Sequence, residues 1–133
     1  MFKLTVVTPE KRLVLDQEID EVTVPGFRGE LNILPGHAPL ITTLETGILR
    51  WKLKGSTAVN SAVISWGYCQ VNATGVDLLA DLADLPEEID VAEATKLLHQ
   101  AEKRLSEAAD ETAALAAQRE MARLRADLEI AKR

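Results

Sequence analysis

At 133 residues, with 47% hydrophobic and 27% charged positions, the chain is long enough for one ordinary domain or a small domain plus an appendage, and too apolar to stay disordered. Its net charge of −6 argues against non-specific nucleic-acid binding, and no apolar run approaches the roughly 20 residues of a membrane-crossing helix. Met1-Phe2-Lys3-Leu4 opens straight into alternation, without the basic and then long apolar regions of a signal peptide. The charge is unevenly placed: residues 1–90 hold seven Lys/Arg against thirteen Asp/Glu, whereas residues 91–133 hold eight of each. Within 112–133 the balance turns basic, with Arg119, Arg123, Arg125, Lys132 and Arg133 against three acidic groups.

Phe2, Leu4 and Val6 alternate with Lys3 and Thr5 and predict a first strand, closed by Thr8-Pro9-Glu10. Leu13–Leu15 predicts a short second strand and Ile19–Val24 a third, ended by Pro25. Pro25-Gly26 and Pro35-Gly36 are turn dipeptides that enclose a strand around Leu31–Leu34. Leu40–Leu44 and Gly47–Leu53 follow, then Ala58–Ser65 and Tyr68–Ala73 on either side of Trp66-Gly67, then Val76–Ala83. About eight to ten short strands at such spacing make an antiparallel sandwich or barrel, with a core of Val, Leu, Ile and Ala because aromatics are only 4%.

The period changes at Leu85-Pro86-Glu87-Glu88-Ile89-Asp90. Asp90 is a good N-cap, with Glu93 three residues on as in a capping box. Val91, Ala94, Leu98, Ala101, Leu105 and Ala108 then step by three and four along one helical face. A break at 108–112, with Asp110 as a second candidate cap, leads to Ala117, Met121, Leu124, Leu128 and Ala131 in the same rhythm. The two helices form an αα-hairpin or, if the break straightens, one long rod; packing of the stripes on each other favours the hairpin in the isolated protein. Twelve of the 43 residues after Asp90 are alanine, which gives intrinsically stable helices with little area to hold them to a neighbour. The expected fold is α+β: a β-sandwich over residues 1–85 and a two-helix unit over 86–133.

No nucleophile elbow, zincin, P-loop or dinucleotide motif occurs. Asp81, Asp84, Glu87, Glu88 and Asp90 lack calcium-loop spacing, so no metal site is expected. Cys69 is single, which excludes an internal disulfide, and reads as a small buried hydrophobe in a strand.

The string Pro25-Gly26-x-x-Gly29-Glu30-x-x-Ile33-Leu34-Pro35-Gly36-His37-Ala38-Pro39-Leu40 resembles the signature of the epsilon subunit of F-type ATP synthases. The resemblance extends over nearly the whole chain, through Thr8-Pro9, Thr43-Leu44-x-x-Gly47-x-Leu49, Trp66-Gly67-Tyr68-x-x-Val71, Leu79-Ala80-Asp81 and Glu87-Glu88-Ile89-Asp90. It implies a non-catalytic subunit of the central stalk whose β-sandwich docks on the gamma subunit and on the c-ring. Glu30, Gly36 and His37 match the loop that faces the c-ring. The helices are implied to reach the alpha and beta subunits and to inhibit ATP hydrolysis, with Arg119, Arg123 and Arg125 directed to an acidic stretch of beta. The implied location is the cytoplasmic face of the bacterial inner membrane, or the stromal face of a thylakoid, with membrane contact only through the c-ring.

Two departures from the pattern matter. Some members of that family bind ATP with Ile/Leu-Asp-x-x-Arg-Ala at the helix start. Here Ile89, Asp90, Glu93 and Ala94 carry the motif with a carboxylate in the arginine position, so neither regulatory ATP nor another cofactor is expected. Trp66 stands where the family commonly has glycine, so the turn there is expected to differ. A rival reading from the residues alone is a free-standing β-sandwich binding module, for a ligand such as a glycan, with a coiled-coil dimerisation tail. Helices of about three heptads are short for that, and aromatic residues for sugar stacking are scarce. A small hydrolase has no motif to support it.

Overall fold

A computed structural model describes residues 2–131. Seven strands come first: β1 (Lys3–Val7), β2 (Arg12–Gly26), β3 (Gly29–Ile33), β4 (Leu40–Leu44), β5 (Gly47–Leu53), β6 (Val59–Asn72) and β7 (Gly75–Asp84). A 3-10 turn at Pro86–Glu88 leads into α1 (Val91–Ser106) and α2 (Glu111–Ala131). The architecture is the expected α+β one, a β-sandwich followed by a helical hairpin.

Two pairs of predicted strands are each one continuous strand, which is why the number is seven. Leu13–Leu15 and Ile19–Val24 both lie in β2, which pairs with β1 through its first half and with β5 and β3 through its second. The strand bulges at Asp16 while still paired with β1; there φ is +44 and the backbone N–H donates to Thr5 Oγ1 at 3.1 Å. It also runs through Pro25, which the sequence reading takes as its end; the Pro25 carbonyl accepts from Glu45 N–H at 2.9 Å. β6 behaves likewise. Its first half pairs with β5, its second with β4, and β7 follows it from Val63 to Asn72. The bend between the halves is Trp66-Gly67, at φ +58 and +145. Long bent strands are what allow the sheet to close around one core with β1 pairing both β2 and β7.

Alternation puts Leu4, Val6, Val22, Val24, Leu49 and Ile64 in that core, each fully buried. Cys69 joins them, and burial, helped by the charge of Asp77, pushes its thiol up to about 12, so it is inert at neutral pH.

The helices start where the caps predict. Asp90 Oδ1 accepts from Glu93 N–H at 3.0 Å, and Asp110 Oδ1 from Ala113 N–H at 2.8 Å. Ala94 and Ala101 of α1 are buried, as are Ala117, Met121 and Leu124 of α2. Arg104 of α1 donates to Glu120 of α2 at 2.6 Å across the hairpin. Val91, predicted on the packed face of α1, is exposed. Helix α2 has a second buried face that the stripe does not show: Ala126 and Ile130 pack on Ile48 of β5 and Val63 of β6. The β domain therefore touches the hairpin mainly through α2.

Candidate functional site

Three surfaces gather the residues that sequence reasoning singles out. The first follows the edge strand β3, which pairs with β2 along one side. Glu30 is exposed beside the turn that precedes the strand, 3.7 Å from Arg50. Gly36 and His37 form a turn past its other end, where His37 N–H donates to the Leu34 carbonyl at 3.1 Å. At roughly 3.4 Å per residue, Glu30 and His37 lie along one edge rather than in one cluster. Gly36 has φ +83, and nothing comes within 4 Å of where a Cβ would sit. That turn is free of the core, as a partner-facing loop requires, and Leu34 beside it is 52% exposed.

The second surface is the outer face of β4, β6 and β7. Tyr68 stands opposite Thr43 of β4 and Leu79 of β7, and Ile41 is paired with Gln70, two residues from Tyr68 on the same face. Ile41 is 72% exposed, Tyr68 52% and Leu79 45%, an apolar strip among polar neighbours such as Thr43 and Gln70.

The third is the contact between α2 and the β domain. The Arg119 guanidinium lies 3.6 Å from the Trp66 ring centroid, within cation–π range. Arg123 donates twice to Asp84 at the end of β7, Nε to Oδ2 at 3.0 Å and an Nη to Oδ1 at 3.3 Å. Arg125 is exposed. The three arginines thus divide: two hold the hairpin to the β domain and one faces solvent. Lys132 and Arg133, the other basic groups of this segment, lie outside the described residues.

Beside this contact a cleft of about 220 Å³ takes in Ile89, Asp90, Glu93 and Ala94. Its remaining walls bring Asp84, Glu88, Glu120 and Asp127 around the single cation Arg123. An anionic phosphate would meet five more carboxylates than Glu93 alone suggested, and the one arginine is already bonded to Asp84. No group of three or more His, Cys, Asp or Glu is arranged to hold a metal ion among the described residues. Sequence reasoning missed Trp66 as a stacking platform and Asp84 and Asp127 as members of this contact. A signal for Asp127 existed: it follows Arg123 by one helical turn, next to the apolar stripe.

Comparison with known proteins places the whole chain in one family. Residues 1–86 match the family model described as ATP synthase, Delta/Epsilon chain, beta-sandwich domain. An ATP synthase epsilon chain of Bdellovibrio bacteriovorus is 65% identical over 103 residues, 77% of this chain and 74% of that one. One from Nitratidesulfovibrio vulgaris is 40% identical over 126 residues, 92% of each chain. A chain in a structure of the Euglena gracilis mitochondrial ATP synthase (OSCP/F1/c-ring) superposes with TM-score 0.85 at 26% identity, covering 99% of this chain and 81% of that one.

Proposed function

Since the chain belongs to the ATP synthase epsilon-chain family, and is a non-catalytic subunit of that complex, we propose that it joins the gamma subunit to the c-ring in the rotor and restrains ATP hydrolysis through its helices. The observation that carries the attachment is the exposed apolar strip of Ile41, Tyr68 and Leu79, which needs a partner of its own size. It is the gamma-docking face. The edge with Glu30, Gly36 and His37 faces the c-ring, and neither surface is used by the hairpin.

The restraint on hydrolysis is supported by how α2 is held. Among the described residues, its hold on the β domain includes a small apolar cluster, a stacked arginine and an ion pair. Release of that contact frees Arg119 and Arg123 to join Arg125 toward the alpha and beta subunits. The cleft at the helix start binds no nucleotide, because its carboxylates repel phosphate. The parent complex is membrane-associated, and the chain sits on its cytoplasmic face in a bacterial inner membrane, the bacterial relatives being the support for that choice over a thylakoid. Among the described residues no helix is long and apolar enough to cross a membrane.

Reconstitution with gamma tests the attachment. Tyr68→Asp is expected to weaken gamma binding at least tenfold with unchanged thermal unfolding, while Glu30→Lys weakens only retention on the c-ring. Gamma binding unaffected by Tyr68→Asp would reject this face.

A further inference from the structure

We propose that Asp84 and Asp127 share one proton that clasps α2 to the β domain, so that the hairpin docks more firmly as pH falls and loosens as it rises. Asp127 is 5% exposed, and its Oδ1 is a buried polar atom with no hydrogen-bond partner. A fully ionised carboxylate in that position would be costly.

Its surroundings explain why a proton is the missing partner. Asp84, on β7, lines the same cleft as Asp127 and is itself bonded to Arg123. The cation is thus already used, and two carboxylates face each other across the contact. Glu88, on the 3-10 turn, accepts from Lys11 Nζ at 3.0 Å and from Leu85 N–H at 3.2 Å, bonds that hold its carboxyl below the ordinary range. On α1, Asp90 caps the helix and Glu93 adds negative charge to the same cleft. On α2 itself, Glu120 is paired with Arg104. Of the charged residues that line the cleft, Arg123 alone is basic. A protonated Asp127 donates its O–H to the Asp84 carboxylate, which removes the repulsion and satisfies the pair.

Burial first, then the hydrogen bond to Asp84 and its charge, push the Asp127 carboxyl from 3.8 up to about 7, with Arg123 pulling the other way. Undocking returns the group to water and to its ordinary value. The docked state then holds more protons, so docking is strongest below the ordinary carboxylate range, weakens as pH rises toward 7, and is level above it. The regulatory consequence, release of the arginines at higher pH, rests on the inhibitory reading above; the docking itself does not.

The test uses the full isolated chain with spin labels at Thr57→Cys and Ala122→Cys, Cys69 being buried. The undocked fraction is expected to rise by up to tenfold per pH unit between about pH 5 and 7 and then to level off. Asp127→Asn, whose amide donates to Asp84 at any pH, should abolish the slope and stay docked. Asp84→Asn should flatten it by removing the second carboxyl. Carbon-13 carboxyl titration of the parent chain should show Asp127 protonated well above pH 5. A pH-independent distance in the parent chain, or an unchanged slope in either variant, would overturn the proposal. Because no ATP synthase complex is involved, these outcomes are separate from the test of inhibition.

Discussion

A tryptophan at φ +58 holds a backbone conformation that costs a bulky L-residue about 1–2 kcal/mol, and Trp66 is in that position with its ring under Arg119. Strain at the bend of β6 thus coexists with a contact worth about 0.5–1 kcal/mol to the helix. Trp66→Gly is expected to leave β-domain stability within about 1 kcal/mol, since relief of strain offsets the entropy that glycine adds to the unfolded chain. The same change should speed hydrogen exchange in α2 selectively, which mass spectrometry by segment would show. The next residue has no such latitude. A Cβ on Gly67 would stand 1.8 Å from the Leu79 carbonyl oxygen, and backbone has no room to give. Gly67→Ala should cost more than about 4 kcal/mol or prevent folding. Gly36→Ala, at φ +83 with open space around it, should cost only about 1–2 kcal/mol. Thermal unfolding of the two variants makes the comparison, and equal losses would contradict close packing at the bend.

At the scale of elements, α2 serves two neighbours at once. Ala117, Met121 and Leu124 are buried where α2 runs against α1, while Ala126 and Ile130 pack on β5 and β6. Ile130→Ala should remove about 2–5 kcal/mol from the second contact. The expected result is loss of exchange protection in α1 and α2 with the β-domain transition unmoved; loss of both together would mean the two units unfold as one. The sequence showed the first stripe because its spacing repeats over the whole helix. It hid the second because Ala126 and Ile130 acquire a partner only when distant strands supply Ile48 and Val63. The same limit applies to the strands. Alternation placed every β segment, but Asp16 and Trp66-Gly67 read as breaks, since local pattern cannot tell a bend within a strand from an end. The caps at Asp90 and Asp110 were legible because capping is a local matter. The carboxyl pair was not, because Asp84 and Asp127 are 43 positions apart and meet only through docking.

The whole molecule is a β core with its own closed sheet and a hairpin held to it by a separate, smaller apolar cluster. A chain ending near Glu87 is expected to fold, with a cooperative thermal transition as the check. The larger question is what α2 does when released. As a hairpin the helices reach about 30 Å; straightened, the pair would span about 60 Å at 1.5 Å per residue. Exposed ion pairs give about 0.2–1 kcal/mol each, so the basic groups of 112–133 supply roughly 1–4 kcal/mol toward an acidic partner. Shifting a two-state equilibrium from 1:99 to 99:1 takes about 5.5 kcal/mol. Charge on the partner is therefore too weak to pull the hairpin open by itself, all the more because Arg119 and Arg123 must first leave Trp66 and Asp84. Inhibition through these residues should accordingly be partial, and weaker at high salt, where exposed pairs are screened. Deleting residues 112–133 and reassembling the complex should raise ATP hydrolysis several-fold at low ionic strength and much less at high, with assembly intact because the apolar strip and the β3 edge are untouched. Equal hydrolysis with and without the segment at both ionic strengths, in a normally assembled complex, would make α2 a structural cover for Ile48 and Val63 and nothing more.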